Sequence, residues 1–228
     1  MKIIFLILLN LNLLFSMEIF DVTNETAKIK VSNLNAGHSG IIIKEVDKNS
    51  IILTQAVVIE SNNENSTIEF ITKEILPQDA IPTTKIRPQN GDKFVLNHLY
   101  KTSLLIVPNL KAKNELLKIY PNYNFLNEDF FAAHLKVIDM PAPTKDVISN
   151  FAQAQEIGTI FVVIKQKLYI LDSITFKIID TVSLKYNDNS TNVPFLTKIK
   201  DIKKGFWSFG NDQIQNYNKY YSELLEIK

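Results

Sequence analysis

The chain of 228 residues contains no cysteine. That absence excludes disulfides, a lipid-modified cysteine anchor, thiol nucleophiles and cysteine-ligated metals together. Arginine is nearly missing too: Arg87 stands alone among the lysines. Bidentate recognition of phosphate or carboxylate therefore has one residue to draw on. Lys and Arg total 25 against 24 Asp and Glu, and the positive residues do not cluster. The basic footprint of a nucleic-acid-binding surface is absent. There is no P-loop, no Gly-x-Gly-x-x-Gly, and no His-x-x-x-His or His-Glu pair to chelate zinc. No internal repeat and no low-complexity tract interrupts the sequence.

A membrane-spanning run is missing as well. The opening "MKIIFLILLNLNLLFS" has Lys2 as a short positive region and an apolar stretch over residues 3–15. A helix needs roughly 20 residues to cross a bilayer core, so this stretch is too short to span, yet it suits the apolar region of a secretory signal. Ser16 is small enough for the residue before a cleavage site, although Leu14 is bulky for its position. Residues 1–16 are expected to be a signal peptide, with an uncleaved N-terminal anchor as the rival. Cleavage leaves no integral membrane segment. The remaining chain must be held by an ordinary core, for which 46% hydrophobic residues, with 14 Phe and 8 Tyr, supply the material.

The periodicity divides that chain in two. Over residues 17–99, "TAKIKVS" and "STIEFIT" alternate, "GIIIKEV" and "SIILTQAVVIES" are apolar runs, and "NNEN" marks a turn. "LPQDAIPTTKIRP" is a proline-punctuated connection, and the Asn-Gly-Asp of "QNGDKFVLN" feeds a further strand. This pattern predicts a β-rich domain: a small β-barrel or curled sheet. Residues 100–228 read as an α+β domain. "SLLIVPN" is a buried-type strand, and "LKAKNELLKIY" carries Leu110, Leu116, Leu117 and Tyr120 at helical spacing. "NEDFFAAHLKVI" opens on Asn127 as a cap and groups Phe130, Phe131, His134 and Leu135; Thr144 caps the next helix. Three strands follow, "TIFVVIK", "KLYILDS" and "TFKIIDTVSL", then a polar loop and an aromatic strand, "GFWSFG". A C-terminal helix carries Ile214, Tyr217, Tyr221, Leu224 and Leu225 in one stripe, fit for core or for an interface. The fold class is α+β.

The stretch most suggestive of chemistry is "GHSG", residues 37–40. A hydrolase elbow is Gly-x-Ser-x-Gly on a strand-to-helix turn. Here the second glycine comes one residue early, at Gly40, and the segment runs from a turn into a strand. Ser39 is therefore expected to be a turn residue, and the glycines to permit positive φ or close backbone approach. His38, His98 and His134 are isolated along the chain, and Glu128 and Asp129 are expected in a first helical turn from the macrodipole alone. No catalytic residue, metal site or cofactor is expected. One residue is chemically distinctive: Lys228 places an ε-ammonium and an α-carboxylate together.

Several long, ordered motifs carry a resemblance. They are "GHSGIIIKE", "ILTQAVV", "IRPQNGDKFVLNHLYKTSLLIVPN", "YPNYNFLNEDFFAAHL" and "PTKDVISNFAQAQEIGTIFVVIKQKLYILDSITFKIID". Through them the chain resembles the N-terminal domain of the plasminogen-binding proteins of epsilonproteobacteria. The resemblance implies an exported domain, periplasmic or at the cell surface, with plasminogen as ligand and no catalytic residues to carry over. Kringle domains grip a lysine zwitterion between charged groups of both signs and aromatic walls. Lys228 is on that basis the expected binding residue. Larger family members continue into a charged extension, so the alternative is that plasminogen binding does not belong to this domain. A different class of function stays open beside it: a periplasmic structural protein docking to other envelope proteins, for example a flagellar motor scaffold component.

Overall fold

The computed structural model describes residues 16–46, 49–71, 86–200, 202 and 213–227. In the first half, alternation of apolar and polar side chains becomes six strands: β1 (Ser16–Phe20), β2 (Thr26–Ile29), β3 (Ser39–Val46), β4 (Asn49–Ser61), β5 (Ser66–Ile71) and β6 (Lys93–Leu96). They close a barrel in the order β1-β2-β5-β4-β3-β6, which leaves no open edge. The interior is filled by alternate residues: Ala27 and Ile29 from β2, Ala56 and Val58 from β4, Ile68 and Phe70 from β5. The register of β4 against β5 shifts between Val58 and Glu60, a bulge of the kind that bends a long strand toward closure.

Turn chemistry sets the strand boundaries. In "NNEN", Asn62 Oδ1 accepts from the backbone N–H of Glu64 at 2.8 Å and of Asn65 at 2.9 Å. Before β6, Gly91 takes φ of 92°, and Asp92 Oδ2 accepts from Gln89 N at 2.8 Å. Gly40 answers a different need. A Cβ there would lie 2.4 Å from the Val95 carbonyl oxygen and 2.6 Å from the Phe94 ring, so β3 can approach β6 only without one.

The second unit comprises Asn35–Ser39 together with the chain from Leu99 onward. Its strands are β7 (Thr102–Ile106), β8 (Asn124–Leu126), β9 (Thr159–Ile164), β10 (Lys167–Asp172) and β11 (Ile178–Ser183), in the order β11-β10-β9-β7-β8. β7 runs parallel to both neighbours, while β9, β10 and β11 form the antiparallel meander expected from three strands in quick succession. Every residue of β9 is buried, as a central strand covered on both faces requires. The helices are α1 (Leu110–Ile119), α2 (Glu128–Val137), α3 (Lys145–Ala154) and α4 (Tyr217–Leu224). Asn109, Asn127, Thr144 and Asn216 cap them, each side chain accepting from an N–H of the first turn.

The helix faces correct two expectations. Leu110 is 59% exposed and Phe130 is 64% exposed, although both were assigned to apolar faces. The core instead takes Ala112 and Leu116 from α1, and Phe131, Ala132 and Leu135 from α2. The short strand β8 was not anticipated; three residues are too few to show a period. The C-terminal stripe is core: Ile214 ahead of α4, Tyr217 and Tyr221 within it and Leu225 at its C-cap are buried in the main apolar cluster of this unit. Residues 76–85 of the proline-punctuated connection, the aromatic strand expected at 205–210 and Lys228 lie outside the described residues, as do residues 1–15.

Two tyrosines of α4 differ in one hydrogen bond. Tyr217 donates its hydroxyl to the Ile106 carbonyl at 2.9 Å, whereas the buried Tyr221 hydroxyl has no partner among the described residues. Removing a satisfied buried hydroxyl loses a bond; removing an unsatisfied one relieves a desolvation cost. Tyr217→Phe is expected to lower unfolding free energy by about 1 kcal/mol, and Tyr221→Phe to leave it unchanged or raise it by up to ~1 kcal/mol, in denaturant melts. Burial holds both phenols well above their ordinary pKa. The unfolded chain ionises its tyrosines at about pH 10, so stability is full below that pH and falls as pH rises past it. Tyrosinate absorbance should accordingly rise for these two residues together with loss of the fold.

Candidate functional site

β10 is an apolar strand that ends in a carboxylate. Asp172 is fully buried, and six donors converge on it. Oδ1 accepts from the N–H groups of Ile174 and Thr175 at 2.9 Å each and from Thr175 Oγ1 at 3.2 Å. This is the local side-chain-to-backbone pattern that makes an Asx turn, and it opens the connection to β11. Oδ2 accepts from groups distant in sequence: Ser39 Oγ at 2.5 Å, Ser39 N at 3.0 Å and the Tyr100 hydroxyl at 2.5 Å. Thr175 Oγ1 also donates to the Gly37 carbonyl at 2.8 Å. Residues 37–39 are thus held by one carboxylate and its turn.

The arrangement decides the question raised by "GHSG". Ser39 is 5% exposed, and its hydroxyl donates directly to a carboxylate with no imidazole between them. A hydrolase places a histidine there to shuttle the proton. His38 is adjacent in sequence, but its ring stacks on Tyr100 with centroids 5.9 Å apart. Charge-assisted bonds to a buried carboxylate are strong, and here all of them are internal. Tyr100 has its phenol pushed far above the ordinary value, chiefly by burial and then by the Asp172 charge and hydrogen bond, so it stays a neutral donor. Gly37 at φ +104° makes the turn that presents this segment.

The other expected polar residues serve the scaffold. Glu128, at the start of α2, is buried and accepts from Lys113 Nζ at 2.6 Å and 2.8 Å, joining α1 to α2. Asp129 accepts from Thr197 Oγ1 at 2.6 Å and from Lys198 N at 2.8 Å; these bonds hold its carboxyl below the usual range. His134 lies 5.0 Å from the Phe151 ring, and His98 is exposed. Among the described residues no group of three or more His, Asp and Glu could hold a metal ion. No described helix is long and apolar enough to cross a membrane.

A barrel followed by a mixed sheet, with the serine of "GHSG" bonded to a buried carboxylate, defines an α+β protein. A family model described as the N-terminal part of plasminogen-binding protein pgbA matches residues 15–225, and the chain belongs to that family. It is 23% identical over 214 residues to the plasminogen-binding protein PgbA of two Helicobacter pylori strains, covering 92% of this chain and 47% of each relative. The chain therefore spans about half the length of the curated relatives it matches. No solved structure matches it. The relatives are named for binding, not for catalysis.

The lock gives a graded expectation. Ser39→Ala removes one of several donors and should cost about 1 kcal/mol. Asp172→Asn leaves an amide facing buried donors and should cost about 3 kcal/mol, seen as a lower denaturation midpoint with an unchanged slope.

Proposed function

We propose that this chain is an exported, non-enzymatic protein-binding domain of the plasminogen-binding kind. The observation that carries this reading is the family match, which runs across every described element from β1 to α4. The burial and internal bonding of Ser39 support the non-enzymatic part, because the serine best placed by sequence is occupied by structure. Export rests on residues 1–16, whose apolar stretch suits a secretory signal. The partner contact is assigned to Lys228, which follows a helix anchored in the core by Tyr217 and Tyr221.

Immobilised plasminogen tests this directly. The full chain should bind, ε-aminocaproate should compete, and Lys228→Gln should weaken binding by about tenfold. Equal binding by the variant moves the contact to another lysine, and absence of binding by the parent chain removes plasminogen as its partner. A second reading, a periplasmic component docking to other envelope proteins such as a flagellar motor scaffold, draws on the outer face of α2. There Phe130 and Val137 are 64% and 84% exposed. Fractionation that finds the protein wholly periplasmic, with a motility defect on deletion, would favour this second reading.

A further inference from the structure

The lock around Asp172 leaves something unused beside it. Within the second unit lies a cleft of about 410 Å³, in the size range of small-ligand sites. Its apolar floor is Phe176 from the turn before β11 and Ile178 at its start, with Leu224 at the end of α4 and Leu225 as its C-cap. Ala36 forms one side, from the segment that Asp172 and Thr175 hold in place. Two ammonium-bearing side chains, Lys145 and Lys177, stand at the polar side with Glu226.

These charges are not equivalent. Lys145 pairs with Glu226, which holds that carboxyl below its usual range, so the two largely neutralise each other. Lys177 has no carboxylate partner among the described residues. Nor does it wave freely. Its stem lies over Gly37, where a Cβ would come within 2.7 Å of Lys177 Cδ and 2.8 Å of its Cβ. The missing side chain at Gly37 is the space that seats the lysine stem. The same site thus offers an apolar floor, one positioned cation with no ion-pair partner among the described residues, and a second cation at the first residue of α3, where the helix macrodipole adds to the positive potential.

We propose that this cleft binds a carboxylate carrying an apolar body, with Lys177 as the counter-ion and the Phe176–Leu225 floor taking the apolar part. The chemistry fits two sources, the carboxyl terminus of an apolar peptide and a medium-chain fatty acid. In either, the ligand carboxylate competes with Glu226 for Lys145. The proposal draws on neither Lys228 nor plasminogen binding, so its test does not depend on that reading.

The full chain is titrated calorimetrically with decanoate, with a leucine-ended tripeptide bearing a free carboxylate, and with the same tripeptide as its amide. Saturable binding of decanoate or of the free-acid tripeptide is expected, and none of the amide. Binding of the tripeptide alone identifies a peptide terminus; binding of decanoate alone identifies a fatty acid. Lys177→Gln, a substitution at an exposed side chain, should weaken the bound probe roughly fivefold, and Glu226→Gln should tighten it by about twofold to fivefold because Lys145 is released. Absence of saturable binding by both acids overturns the proposal. So does binding whose affinity is the same in the parent, Lys177→Gln and Glu226→Gln, or equal binding of the amide.

Discussion

Burying an ionised carboxylate is costly unless every lone pair finds a donor, and Asp172 meets that condition with six. The consequence is organisational. Three stretches far apart in sequence, residues 37–39, Tyr100 and the turn after β10, must adopt one mutual geometry for the carboxylate to be satisfied. The short strap over Asn35–Ser39 belongs with the second unit although its neighbours on both sides belong with the barrel. Apolar packing could not enforce that placement alone, because the strap offers little apolar surface: an asparagine, an alanine, a glycine, a histidine and a serine.

The same lock determines what the serine can do. A nucleophile needs an accessible hydroxyl and a base that can pass its proton on. Ser39 has neither, since it is buried against a carboxylate whose acceptor sites are all engaged. It is consistent that the strap held by Asp172 also lines the cleft beneath Lys177, so a single buried charge fixes both the strap and the wall of the cleft. Family membership points the same way, toward proteins named for what they bind.

Much of the fold was legible because it depends on local pattern. Alternation in "TAKIKVS" and "STIEFIT" placed barrel strands, Asn127 and Thr144 announced helix starts, and the meander read directly from three apolar runs. The failures are equally physical. Helical spacing groups Phe130 with Phe131, His134 and Leu135, yet Phe130 is exposed while the buried arc of α2 passes through Phe131 and Leu135. β8 is too short for any period to declare it. Asp172 is a lone acid closing an apolar run and followed by Ser-Ile-Thr, the local signal of an Asx turn, but its burial depends on Ser39 and Tyr100, which lie far away in sequence.

Composition and periodicity by themselves established a cysteine-free α+β chain with a β-rich first part, an α+β second part and no catalytic signature. They could do so because strand alternation, helix caps and missing ligand types are properties of neighbours along the chain. Only the tertiary structure decided that Ser39 meets Asp172, 133 positions away. It alone decided that Gly37 seats Lys177, and that α4 turns its tyrosine stripe inward. Those facts depend on which segments come together in space, and that is settled by satisfying buried charge and filling a core, which no local window contains.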